Sequence, residues 1–366
     1  MPKRLRSNQS RSTAPLQAPA RQVSFECEAD VLEGLERFAQ AEILERLGAS
    51  SSVASERAGA LRFRYTGDLR RLLNLRSVVA IYFVRRFAVP RPRALLGHEH
   101  FEALLRLIAI ARSLAPPESY RTLHLSAAGA ESSVLNRLKF ELCERTGLAL
   151  APDEGDLLMR LRRAVGAPGW EVLVRLSPRP LATRPWRVCN MPGALNATLA
   201  HCMVRLCEPT TDDILINLAC GSGTLLVERL ALGSARSLIG CDIDLTALDC
   251  ARSNLKAAGF DGLARLELWD AGRLPLPDAS VNLICADLPF GQLVGSHRQN
   301  EALYPQIFAE AMRIAAPGAR MVLLTHEVRL LERVAAQYVS QWQMHEVLPV
   351  RVGGMTPRVY LFRVKA

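Results

Sequence analysis

Four short stretches in the second half of the chain end apolar runs in residues that can hold or react with a ligand. The first, Ile216-Asn217-Leu218-Ala219-Cys220-Gly221-Ser222-Gly223-Thr224, joins an apolar strand to a helix through small residues. Its glycines let the backbone turn tightly and let a ligand lie against main-chain amides at the edge of a sheet. The third glycine of a dinucleotide fingerprint is missing and no Gly-Lys-Ser/Thr follows, which disfavours a standard dinucleotide site and a P-loop. The contacts expected here are Asn217, Ala219, Gly221, Gly223 and Thr224. The second stretch, Gly240-Cys241-Asp242-Ile243-Asp244, places Asp242 nineteen residues after Gly223. A carboxylate there can accept hydrogen bonds from two ribose hydroxyls, with Ile243 beside it, while Asp244 suits the N-cap of the next helix. In the third, Trp269-Asp270-Ala271, Asp270 can bond an adenine amino group or cap its own loop. The fourth is Asp287-Leu288-Pro289-Phe290-Gly291, which taken alone also reads as an ordinary strand-to-loop turn.

The elements that must position these residues alternate regularly. After residue 192 the pattern predicts helix 193–207, strand 213–219, helix 222–232, strand 237–242, helix 244–258, and strands 264–269 and 281–287. Helix 301–314, strand 318–325, helix 327–338, and strands 343–351 and 357–364 follow. Such alternation is that of a parallel sheet covered on both faces by helices, and it sets all four stretches at strand ends.

The region before it is α+β. Strand 22–27, helix 31–47, and strands 51–55 and 59–65 form a first small unit, spanning 22–75. A second unit, 76–178, contains strand 77–87, helix 98–114, strand 121–126, helix 131–145 and a hairpin of runs 156–163 and 170–177. In the hairpin one face packs while the other can carry Arg160, Arg162 and Arg175. Residues 179–191, bracketed by Pro178 and Pro192, form a linker ahead of a C-terminal domain over 192–366. The linker holds Arg184, Trp186 and Arg187, which read either as contacts to phosphates and a base or as a packed tryptophan with solvated arginines.

Charge separates the halves. Residues 1–188 carry 30 Lys and Arg against 19 Asp and Glu, a net +11, whereas 189–366 carry 16 against 17, a net −1. A basic portion attracts polyanions, which makes nucleic acid the leading partner for the N-terminal part. Residues 1–21 read as a disordered basic tail, either touching RNA or simply solvated. No apolar run is long enough to span a bilayer, which excludes a membrane protein. The nine cysteines are odd in number and include no C-x-x-C pair, arguing against a disulfide framework and a zinc site and for a reducing cytoplasm. The histidines lack metal-ligand spacing.

Taken in order, Asn217 to Thr224, Asp242, Asp270, and Asp287 to Gly291 resemble the motifs of class I methyltransferases that modify exocyclic amines. With the α+β region, the segment Arg175 to Arg187 and the run Pro192 to Leu199, the chain after its tail resembles the THUMP-containing guanine-N2 RNA methyltransferases. It departs from them in having Asn217 where many relatives have Asp and Leu288 where many have Pro. The resemblance implies a Rossmann-like methyltransferase sheet preceded by a ferredoxin-like and THUMP RNA-binding region. It implies S-adenosylmethionine as cofactor, held by the strand-end residues with Ala271, and by Leu195 and Asn196 near the methionine part.

The substrate so implied is a guanosine in tRNA, position 6 by analogy, acted on by a monomer or small homo-oligomer that needs no metal. On this reading Asp287 and the Leu288 carbonyl accept the two N–H bonds of the amine, Pro289 holds the turn, and Phe290 stacks on a flipped-out base. Methylation of rRNA, of adenine or of a protein glutamine amide, and a noncatalytic RNA-binding protein with a degenerate pocket, are the alternatives.

Overall fold

The computed structural model describes residues 23–289 and 297–365, so the expected tail and the positions of Phe290 and Gly291 lie outside the described residues. The N-terminal half builds one mixed sheet from β1 (Phe25–Asp30), β2 (Ser51–Arg57), β3 (Ala60–Tyr65), β4 (Ala80–Phe87), β5 (Thr122–Ala127), β6 (Ala149–Leu150), β7 (Leu157–Arg163) and β8 (Trp170–Arg175). Its order is β2-β3-β1-β4-β8-β7-β5-β6. Strands of the two expected small units thus share a sheet, joined where β1 pairs antiparallel with β4. Helices α1 (Glu36–Leu47), α2 (His98–Arg112) and α3 (Ser133–Thr146) contribute their apolar residues to its core. The expected hairpin forms, with Met159 opposite Val174 and Leu161 opposite Val172.

The C-terminal half begins with α4 (Ala197–Leu206) and alternates as the sequence pattern requires: β9 (Ile214–Leu218), α5 (Thr224–Leu230), β10 (Ser237–Asp242), α6 (Leu245–Ala257), β11 (Arg265–Leu268), β12 (Val281–Asp287), α7 (His297–Ile314), β13 (Ala315–Thr325), α8 (Val328–Ala335), β14 (Trp342–Pro349) and β15 (Arg358–Val364). The order is β11-β10-β9-β12-β13-β15-β14, parallel from β11 to β13, with β15 antiparallel between β13 and β14. The chain steps outward from β9 to β11 and then returns to β12 on the other side of β9. The carboxyl ends of β9, β10 and β12 therefore face a crevice, the usual ligand position in a doubly wound sheet.

Two apolar layers cover this sheet. One face packs on α7 and α8. The other is continuous, through α4, α5 and α6, with the core of the N-terminal sheet. Sandwiching explains why almost every residue of α4 is buried, and Thr198 Oγ1 on it donates to the Val78 carbonyl of the N-terminal half at 3.3 Å. A charged cluster seals the same junction. Glu228 on α5 accepts from Arg184 Nε at 2.9 Å, Arg76 Nη1 at 3.0 Å and His201 Nδ1 at 3.0 Å. Burial alone would raise the Glu228 carboxyl, but the hydrogen bond from His201 and the charges of Arg184 and Arg76 hold it down at about 2.

One expectation about the cysteines is corrected: Cys189 and Cys250 are disulfide-bonded, tying the linker to α6. Odd numbers and scattered spacing say nothing about a pair sixty-one residues apart that packing brings together. Among the described residues no helix is long and apolar enough to cross a membrane.

Candidate active site

A cavity of ≈ 360 Å³ opens at the carboxyl ends of β9, β10 and β12. The loop after β9 forms its floor. Ala219, Gly221 and Gly223 all have positive φ, at 46°, 51° and 76°. Ala219 adopts a conformation that costs a non-glycine residue energy, and a side chain at Gly223 would come within 3.0 Å of Ala251 Cβ on α6. The loop is held by its own amides, Cys220 N donating to the Cys241 carbonyl and Gly223 N to the Cys220 carbonyl, each at 2.9 Å.

Asp242 ends β10 against this loop. Its Oδ2 accepts from Gly221 N at 2.9 Å and its Oδ1 from Asp244 N at 3.1 Å. Both oxygens are thereby oriented, and each keeps a lone pair for a further donor. Asp244 is the N-cap of α6, accepting from Thr246 N at 2.8 Å. Asp270 does what the loop-capping alternative requires, accepting from Gly272 N at 2.8 Å, yet it also lines the cavity beside Ala271 and Trp269.

Two buried polar atoms at the site have no partner. Asn217 spends its amide nitrogen on the carbonyls of Leu218 and Cys285, at 3.2 and 3.1 Å, and leaves Oδ1 unpaired. Asp287, at the end of β12, keeps Oδ1 sealed from solvent with nothing donating to it, and burial lifts its carboxyl from the usual 3.8 to about 7. Unpaired buried acceptors are costly, and the two residues that carry them both line this one cavity. The residues present fit an adenosyl cofactor carrying an amino acid: an oriented carboxylate at Asp242 for ribose hydroxyls, a neutral amide at Asn217, and Leu303 and Ile307 as an apolar wall.

Of the expected ligand residues, the cavity brings together Asn217, Ala219, Gly221, Thr224, Asp242, Ile243, Asp270, Ala271, Asp287, Leu288 and Pro289. Gly223 shapes the loop without lining the cavity. Asn196 is corrected: it does not line the cavity, because its Oδ1 caps α4 by accepting from Thr198 N and Leu199 N, at 2.9 and 3.2 Å. Its neighbours Met191 to Leu195 form a wall instead, held by Arg187, which donates to the Leu195 carbonyl and to Thr224 Oγ1. Leu195, which the resemblance sets near the methionine part, lies in that wall, whereas sequence reasoning missed Met191 to Ala194 and the α7 side chains Leu303 and Ile307. The Pro192-Gly193 turn was a usable signal for the former; the α7 residues look like any core stripe.

The arginines expected to meet RNA are placed less uniformly than their alternation suggested. Arg175, Arg184 and Trp186 are buried, so the expectation of direct RNA contact is corrected for these three. Arg175 donates to the Ser177 and Gly155 carbonyls at 2.8 and 2.9 Å. Arg162 is paired with Glu28 and Glu171 across the open face of the N-terminal sheet. Arg160, 37% exposed at its side chain, pairs with Asp30 at 2.7 Å and lies over the Tyr82 ring.

Comparison with known proteins gives this geometry its context. Residues 184–358 match the family described as UPF0020, RMKL-like, methyltransferase domain. An alignment over 184 positions, covering 47% of the chain, is 34% identical to the tRNA (guanine(6)-N(2))-methyltransferase THUMP3 of Mus musculus and spans 36% of that protein. Another of 189 residues, 51% of the chain, is 29% identical to the tRNA (guanine(6)-N2)-methyltransferase of Thermus thermophilus and spans 55% of it. The chain thus matches about a third to a half of these relatives' length. Among solved structures, TrmN from Thermus thermophilus superposes with a TM-score of 0.71 at 24% identity, covering 93% of this chain and 100% of that one. The likeness extends the shared fold over both halves of the chain.

Proposed function

We propose that this chain, whose residues 184–358 form a methyltransferase domain of the UPF0020 RMKL-like family, transfers a methyl group from S-adenosylmethionine to the exocyclic N2 amine of a guanosine in tRNA. The observation that carries the proposal is the unpaired, buried Oδ1 of Asp287, a residue that lines the same cavity as Asp242 and the loop after β9. Position 6 is the guanosine in the names of the mouse and Thermus relatives, and it is the one we favour.

When bound, S-adenosylmethionine supplies an electrophilic methyl on its sulfonium. The residues of the chain do the rest. An aromatic amine has its lone pair delocalised into the ring, so the nitrogen must be aimed and must lose a proton as the N–C bond forms. Asp287 accepts one N–H and the Leu288 carbonyl the other, which aims the amine and localises its lone pair. The proton passes to the Asp287 carboxylate. A carboxyl with a pKa of about 7 is matched to that exchange near neutral pH, ionised enough to accept and able to release the proton to water afterwards.

A guanine stacked inside a helix cannot reach Asp287, so the base must be extruded, and the basic N-terminal half is assigned to gripping the RNA while that cost is met. Within it, residues 76–178 are assigned as the THUMP-like RNA-binding domain. Methyl transfer is tested with labelled donor and unmodified total tRNA, using wild type and Asp287→Ala, followed by nucleoside analysis. Label in N2-methylguanosine that disappears in the variant supports the proposal. Label confined to rRNA, or cofactor binding without transfer to any RNA, overturns the tRNA assignment.

A further inference from the structure

The segment Asp287-Leu288-Pro289 is held from behind by residues no motif identifies. Leu288 N donates to the Leu324 carbonyl at 2.9 Å, extending the pairing of β12 with β13 by one bond. The Pro289 carbonyl accepts two hydrogen bonds from α7, from Asn300 Nδ2 at 2.8 Å and Tyr304 Oη at 2.9 Å. Asn300 and Tyr304 are one helical turn apart on the same face and are buried to 1% and 0% exposure. Tyr304 Oη lies 2.7 Å from Thr325 Oγ1, and Thr325 Oγ1 accepts from Glu327 N at 2.9 Å.

Counting protons orients this chain. Tyr304 has one hydroxyl hydrogen and gives it to Pro289, so Thr325 must donate to Tyr304 while accepting from Glu327. The run Glu327 N–H to Thr325 to Tyr304 to the Pro289 carbonyl is therefore head-to-tail, an arrangement in which each bond strengthens the next. Its target matters because of what stands before it. Proline has a locked φ and no N–H, so the turn cannot be anchored through Pro289 N and is anchored through its carbonyl. With Leu288 N tied to β13 and Pro289 O tied to α7, the backbone that carries the Leu288 carbonyl is held at both ends.

We infer that Tyr304 and Asn300 are positioning residues for methyl transfer, holding the Pro289 carbonyl so that the acceptors of Asp287 and Leu288 converge on one amine. The inference rests on the assignment of those two acceptors under the proposed function. Neither residue touches the amine. Both act through the backbone of Pro289, and their effect falls on the alignment of the reacting nitrogen rather than on binding.

The test is steady-state methyl transfer to tRNA by wild type, Tyr304→Phe, Asn300→Ala and Thr325→Val, with S-adenosylmethionine affinity measured separately by calorimetry. Tyr304→Phe keeps the buried ring, so folding should persist. Tyr304→Phe and Asn300→Ala are each expected to lower kcat about 10–100-fold, as loss of alignment does, with KM for tRNA and cofactor Kd within about 2-fold of wild type. Thr325→Val, which removes only the orienting hydroxyl, should give a smaller fall of the same kind. In Tyr304→Phe the acidic limb of the kcat profile should also move to lower pH as the loosened turn admits water to Asp287, a change that remote structural damage would not produce. Unchanged kcat in both Tyr304→Phe and Asn300→Ala, or a loss that follows cofactor affinity, overturns the inference while leaving the proposed function standing. Wild type that binds cofactor and methylates no RNA overturns both.

Discussion

Replacing Asp287 by asparagine should make the protein more stable above neutral pH while abolishing methyl transfer. The carboxyl is ionised in the unfolded chain above 3.8, but burial holds it protonated in the folded chain up to about 7. Below 3.8 both states are protonated and the residue costs nothing. Between 3.8 and 7 only the unfolded state ionises, so folding stability falls with rising pH, and above 7 the loss is complete. At 1.36 kcal/mol per pH unit the full gap amounts to about 4 kcal/mol, and solvent reaching the rest of the residue brings this to about 2–4 kcal/mol. Asparagine has nothing to ionise. Urea unfolding of wild type and Asp287→Asn at several pH values from 4 to 9 should therefore show a stability difference that grows in favour of the variant up to about pH 7 and then levels off. A difference independent of pH, or a variant less stable at pH 8.5, would refute the argument that an uncompensated buried carboxylate is kept there at a cost for chemistry.

Asp242→Ala removes an oriented charged acceptor from the cavity. It should weaken S-adenosylmethionine binding by about 10–100-fold in calorimetry, the equivalent of about 1.5–3 kcal/mol for hydrogen bonds to a charged group; unchanged affinity would remove Asp242 from the cofactor site. Reducing the Cys189–Cys250 disulfide, which closes a loop of sixty-one residues, should destabilise the C-terminal half by about 2–4 kcal/mol. Oxidised and reduced protein, verified by mass spectrometry, would otherwise unfold at the same urea concentration.

The amino-acid sequence determined the parallel sheet and the placement of the motifs at its strand ends, because alternation of apolar runs and the chemistry of turns depend on neighbouring residues. Asp244 is legible as a cap from the Asp-Leu-Thr that opens α6, and its bond to Thr246 N is local. Asp287 and Asp242 are legible for the same reason: each ends an apolar run. What the tertiary structure alone decided are pairings between residues far apart in the chain. The alternating arginines of β7 read as a free basic face, yet Arg162 meets Glu28, 134 residues earlier, because β1 and β7 lie in one sheet. Asn196 has the composition of a ligand residue and the position of a helix cap, and only the start of α4 distinguishes the two. The disulfide, the Glu228 cluster and the grip of Asn300 and Tyr304 on Pro289 join segments whose proximity no local pattern encodes. Periodicity reports which side of an element is buried, whereas the partner met on that side is set by how whole elements pack.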